Sequence, residues 1–216
     1  MSGTNAPAAR VRFTEEMAGH LAFGESNFER GRERGRSTNT SLRFHLTIET
    51  PAIDAFTADA AHEADASGWV RCDALGGKRP VERGRFHLFV ATEDPGERRM
   101  LYRLHFRDGV GSPLTLVGHK VIANDPGFDL WPDTTTLFTR LLSGHVEADG
   151  DDDAAPVAAG ILRITPFAFA RQLTTFRARG AGVAGNVGAL VRFNRVFLGE
   201  LWRIYGRRPR RGRSVS

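Results

Sequence analysis

One cysteine, Cys72, is all that the chain offers, which excludes an intramolecular disulfide framework and fits a reducing compartment. No apolar run approaches the ~20 residues that a membrane-spanning helix needs. Met1-Ser-Gly-Thr-Asn-Ala-Pro-Ala-Ala lacks a basic region followed by an apolar core, so no secretion signal is expected and a cytoplasmic protein is. The chemical signatures are missing too. There is no G-x-S-x-G elbow, no P-loop and no Cys–His pair, and Cys72 falls on an expected strand with no base near it. None of the seven histidines is spaced with another ligand type as a metal site requires, and Asp149-Gly-Asp-Asp-Asp lacks the closing glutamate of a calcium loop. Gly180-Ala-Gly-Val-Ala-Gly185 matches G-x-G-x-x-G, but no βαβ unit surrounds it and the next acid, Glu200, lies within a helical pattern. These glycines read as a flexible link. Neither a metal nor a cofactor is expected.

What the chain does have is an uneven charge. Its net charge is +5, yet residues 171–216 contain 11 arginines and a single acid, leaving the first 170 residues net acidic. Such a split marks a basic surface or tail that meets anionic partners. A coding bias explains it as well, since 28 of the 30 basic residues are arginine. No specific nucleic-acid site is expected.

A length of 216 residues suits one large all-β unit with a substantial core. Residues 13–24 alternate as a strand, with Phe13, Met17, Leu21 and Phe23 on one face together with Glu15. Residues 27–40 alternate Arg, Glu and Gly, and read as a solvated loop. Ser41–Glu49 is a clean strand: Leu42, Phe44, Leu46 and Ile48 face one way, Arg43, His45, Thr47 and Glu49 the other. Residues 54–66 suggest a short helix or loop. A long hairpin follows over residues 68–90, turning at Gly76-Gly77 because glycine reaches positive φ at little steric cost. Its second arm sets Phe86, Leu88 and Val90 inward. Further strands are expected over 99–107 and Pro113–Ala123, then in a run from Trp131 to Val146, over 160–165 and within 167–179. Asn124-Asp125-Pro126-Gly127 marks a turn, and residues 147–155 an acidic surface loop. Short strands at regular spacing signal an antiparallel barrel or sandwich. The last element differs. From an N-cap at Asn186, residues 187–205 follow helical period, with Leu190, Phe193, Phe197 and Leu201 on an apolar face covering about half the circumference and Arg192, Arg195 and Arg203 opposite.

Two features carry candidate chemistry. His45, His87 and His105 each sit mid-strand opposite the most apolar face, flanked by Arg43, Arg103 and Arg107. If their strands are neighbours they form one imidazole–guanidinium surface, which in a barrel either meets solvent or lines a polar lumen suited to an anionic or hydroxylated ligand. The candidate ligand-binding residues are therefore His45, His87, His105, Arg43, Arg103 and Trp69. Glu15 joins them as the reverse case, a carboxyl on an apolar face that needs an arginine partner or a functional reason.

Taken together, Phe13-Thr-Glu-Glu-Met-x-Gly, Gly68-Trp-Val-x-Cys-Asp-Ala-Leu-Gly-Gly, Pro80-Val-Glu-x-Gly-x-Phe-x-Leu-Phe-Val90, Asp129-Leu-Trp-x-Asp-Thr-Thr-Thr-Leu-Phe138 and Arg171-Gln-Leu-Thr-Thr-Phe-Arg177 resemble an accessory domain. That domain is found attached to cholesterol-oxidase-like flavoenzymes of the GMC oxidoreductase class, some with an α/β-hydrolase part. The resemblance runs over roughly residues 13–206 without the flavin domain, so it implies no flavin and transfers no catalytic residue. The expected product is mainly β: an antiparallel β-barrel (lipocalin-like) or sandwich over 13–206 with a C-terminal amphipathic helix over 186–206, between a disordered 1–12 and a basic tail, 207–216. The expected function is a non-catalytic lipid- or sterol-associated binding module with an apolar small molecule and a separately encoded oxidoreductase as partners. The alternatives are a small-barrel isomerase or cyclase using the histidine face with Glu15, and a peripheral protein whose Arg-rich C-terminus meets an anionic membrane.

Overall fold

Period-two alternation governs almost every described strand, and it builds a barrel. The computed structural model describes residues 8–123, 135–150, 154–164 and 175–205, with side chains to residue 199. The turn at Asn124, the expected extended start at Trp131, the whole 165–174 stretch, the side chains of Leu201 and Arg203, and the tail 207–216 lie outside the described residues. The elements are β1 (Arg10–Phe23), α1 (Phe28–Ser37), β2 (Ser41–Glu49), α2 (Ile53–Ala58), β3 (Glu63–Cys72), β4 (Gly77–Ala91), β5 (Glu97–Arg107), β6 (Pro113–Ala123), β7 (Thr136–Ser143), β8 (Pro156–Arg163), β9 (Arg177–Arg179) and α3 (Gly182–Tyr205).

Each strand from β1 to β8 pairs antiparallel with the next, and β8 pairs with β1 to close the ring. The short β9 adds to β1 at Arg10–Arg12, on the side that β8 leaves free. This is a closed eight-stranded antiparallel barrel with one extra strand. Closure removes the unpaired edges on which an open sheet would aggregate. The register places Phe13 opposite Ile48 and Met17 opposite Phe44, so the apolar faces of β1 and β2 share one interior. Nine of the ten residues expected inside from β2, β4 and β5 are buried: Leu42, Phe44, Leu46, Ile48, Phe86, Leu88, Tyr102, Leu104 and Phe106.

The tenth is a correction. Val90 lies on the outside, and Phe89 turns into the core instead. The β4–β5 register shifts between His87 and Val90, with Phe89 at φ 56°. On the β3 side the ladder continues, the Leu88 amide donating to the His62 carbonyl at 3.3 Å, so the irregularity lies on the β5 side. A β-bulge inverts the facing of everything beyond it.

A second correction concerns residues 27–40, expected as a loop and found largely as α1. Asn27 caps it, its side chain accepting from the Arg30 amide at 3.0 Å. Its buried face is two glycines, Gly31 and Gly35. A Cβ on Gly31 would lie 2.0 Å from the Ala159 carbonyl oxygen, and one on Gly35 would lie 2.3 Å from that of Leu21. Only a bare backbone lets the helix approach the sheet so closely.

The third correction is the start of α3. It begins at Gly182 and runs through the glycines read as a link, so Asn186 is not its N-cap; from inside the helix the Asn186 side chain accepts from the Ala181 amide at 3.2 Å. No described helix is long and apolar enough to cross a membrane.

Candidate functional site

The barrel interior has two ends. Toward the β1 C-terminus it is filled by Met17, Leu42, Phe44, Leu104, Phe106, Leu116 and Leu141, each at most 1% exposed. Toward the β1 N-terminus it opens into a cavity of about 270 Å³, walled by Phe13, Phe86, Leu88, Met100 and Ile164.

The floor of that chamber is polar. Glu15 on β1 and Tyr102 on β5 come from opposite walls of the ring, and the Tyr102 hydroxyl donates to Glu15 Oε2 at 2.8 Å. Lys120 on β6 donates from Nζ to Glu15 Oε1 and stands 5.3 Å from the centre of the Tyr102 ring. All three are about 2% exposed. Together they form a crossbar through the lumen. Burial, reinforced by the Glu15 charge and hydrogen bond, pushes the Tyr102 phenol well above its ordinary range, so it stays a neutral donor. The ion pair satisfies the carboxylate that the apolar strand face made costly. Its partner is a lysine, not the expected arginine.

The roof is α3. Ala189 and Phe193 are buried. The Phe193 ring lies 6.0 Å from Phe13, 5.9 Å from Phe56 and 5.6 Å from Phe176, while Phe197 meets Phe89 at 5.4 Å. Phe197, Asn194 and Leu198 complete the chamber lining. Arg192 pairs with Asp54 on α2, which ties the helix to the rim. The apolar face of α3 is thus split. Part of it closes the barrel, while Val183, Val187, Val191 and Leu198 are 85%, 57%, 50% and 61% exposed.

The histidine and arginine candidates lie on the outer surface, with the barrel wall between them and Glu15, and they fall into separate groups. Arg43 and His45 sit beside Glu16, at 3.4 and 3.7 Å, and His45 stacks on Trp69, over which Lys78 also lies. His87 is 3.8 Å from Glu63. His87 and Arg103 do come together, in an outer groove of about 310 Å³ with Phe28, His119, Phe138 and Arg140. His105, though on the outer face, is buried under residues 144–147: Arg83 donates to its Nδ1 at 2.9 Å, its Nε2 lies 3.0 Å from the Val146 carbonyl, and His145 stacks on it. Burial holds His87, His105 and His119 below the ordinary imidazole range. Among the described residues, no group of three or more His, Cys, Asp or Glu is placed to hold a metal. Burial also pushes the Cys72 thiol up, away from a reactive thiolate.

Sequence reasoning found Glu15 but missed Lys120 and the role of Tyr102. The signal was there: Leu114, Leu116, Gly118, Lys120 and Ile122 share one face of β6, and a lone cation on such a face calls for a buried anion.

Fold and site together define a closed antiparallel barrel with a roofed apolar chamber and a polar floor. No family model, curated protein or solved structure matches the chain.

Proposed function

We propose that the protein is a non-catalytic binding module that holds a small apolar molecule of lipid class in the chamber beneath α3. The observation that carries this reading is the chamber itself: an apolar space of about 270 Å³ with three convergent buried polar groups on one side. That combination is how ligand pockets pair bulk affinity with orientation. The volume lies just under the ~300–1,000 Å³ of typical small-molecule pockets, which favours a compact or single-chain molecule. A sterol fits only if α3 yields. The lipocalin-like form, the lipid or sterol class of cargo and a separately encoded oxidoreductase as its supplier or consumer rest on the barrel shape and the sequence resemblance. Saturable one-to-one binding of an environment-sensitive apolar fluorophore tests the reading. Leu88→Trp, which fills the chamber, should abolish that binding; equal binding by the variant, or none by the native protein, sinks it.

A second reading adds a place of work: the cytoplasmic face of an anionic membrane. Its support is the outward stripe of Val183, Val187, Val191 and Leu198 on a helix that also exposes Arg192 and Arg195. Apolar residues beside arginines suit the headgroup boundary. Co-sedimentation with anionic vesicles should fall several-fold in Val187→Ser/Val191→Ser and weaken with salt. Equal sedimentation of variant and native protein discards the membrane.

A further inference from the structure

We infer that the chamber selects apolar molecules bearing one neutral oxygen acceptor, a ketone, ester or alcohol, and that Lys120 Nζ is the donor that takes it. This deepens the binding reading above and rests on it.

The inference comes from counting donors and charges on the floor. An ammonium has three N–H donors. Among the described residues, the one hydrogen-bond partner of Lys120 Nζ is Glu15 Oε1. At 2% exposure the group is buried within the protein, and it lines the chamber, so whatever its other donors meet lies in that space. Its remaining donors therefore need an acceptor inside that space, because a buried charged donor left unmet is costly. A pure hydrocarbon does not supply one.

Charge decides which acceptor. Glu15 and Lys120 already balance one negative charge against one positive. A fatty carboxylate would bring a second anion beside Glu15, with a single ammonium to serve both and walls of Phe13, Phe86, Leu88 and Met100 around them. Like charges in so dry a setting repel strongly. Arg98, the other buried cation near this end, does not line the chamber. Asn194 at the rim is neutral. A neutral oxygen leaves the ion pair balanced and fills the vacant donor position. A hydroxyl also has a carboxylate lone pair within the same crossbar to receive its own proton.

The test uses the full chain at neutral pH and four probes of one chain length: methyl heptyl ketone, nonanol, nonanoate and nonane, each displacing the apolar fluorophore. The ketone and the alcohol should bind about ten- to a hundredfold more tightly than nonane, the worth of one charge-assisted hydrogen bond, and more tightly than nonanoate. If nonane matches the ketone, Lys120 is not the selector, although the chamber still binds. If nonanoate binds tightest, the charge balance argument is overturned. If no probe displaces the fluorophore, the binding reading itself falls. The triple variant Glu15→Leu/Lys120→Met/Tyr102→Phe removes the crossbar without stranding a partner. It should bind the ketone, the alcohol and nonane alike, and discrimination that survives there overturns the assignment. Should that variant not fold, the native series decides alone.

Discussion

The two ends of the barrel are made by the same strands with the same alternation, yet one is solid and the other hollow. Below the crossbar, side chains from every wall interdigitate around Phe44 and Phe106. Above it, Phe86, Leu88 and Met100 line a space that α3 covers and does not fill. The crossbar is the partition. Three polar groups bonded to one another across the lumen form a layer against which apolar chains gain little by crowding. Stability is concentrated below it, and room for a guest above.

Core truncation should expose the contrast most strongly. Phe44→Ala opens a void in the solid end and costs about 3–5 kcal/mol, whereas Leu88→Ala only enlarges an existing space and costs about 2 kcal/mol. Chemical denaturation of the two variants side by side checks this; equal losses would mean the chamber is not a feature of the folded protein in solution. The crossbar itself comes next. Lys120→Met strands a buried carboxylate and should cost about 3 kcal/mol, while the triple apolar variant should be near neutral. A triple variant as unstable as the single one would show that the ion pair stabilises in its own right. For the roof, Phe193→Ala should lower the melting temperature by more than Phe197→Ala does, because only the first is fully enclosed. An unchanged melting temperature in both would detach α3 from the barrel.

The smallest effect is acid sensitivity, and it belongs to the outer wall. His87, His105 and His119 have folded values below the ordinary ~6.5. The unfolded chain therefore binds protons first as pH falls. Stability is full above about pH 6.5, declines as pH drops toward the lowered folded values and then levels off. Melting temperatures followed from about pH 7 to about pH 5 should show that decline, and His105→Gln should make it shallower. A flat profile would mean that these rings are not desolvated.

The strands were largely legible because alternation is a local signal, readable within nine residues such as Ser41–Glu49. Where the sequence misled, the deciding contact was distant. Nothing around Phe89 announces that its φ turns positive, since the bulge is a shift in pairing with β5, a separate strand. Gly31 and Gly35 look like breakers until Ala159 and Leu21 are seen against them. Glu15 stood out as an acid on an apolar face, but Lys120 is 105 residues away and becomes its partner only through barrel closure. The outward histidines shared a strand face without sharing a site, because β3 and the loop after β7 divide them.

Helix α1 has one more consequence, in the order of assembly. It straddles the junction of the first and last barrel strands, with Gly35 against Leu21 of β1 and Gly31 against Ala159 of β8. The β1–β8 pairing spans most of the chain, and contacts of such separation form late and slowly. Until then the free edge of β1 is a template for any passing strand. The α1–β1 contact, by contrast, is local in sequence and needs no other strand. The separations in sequence predict that the helix docks on β1 before its last neighbour arrives, a ready-made berth for β8 at the one edge it must close.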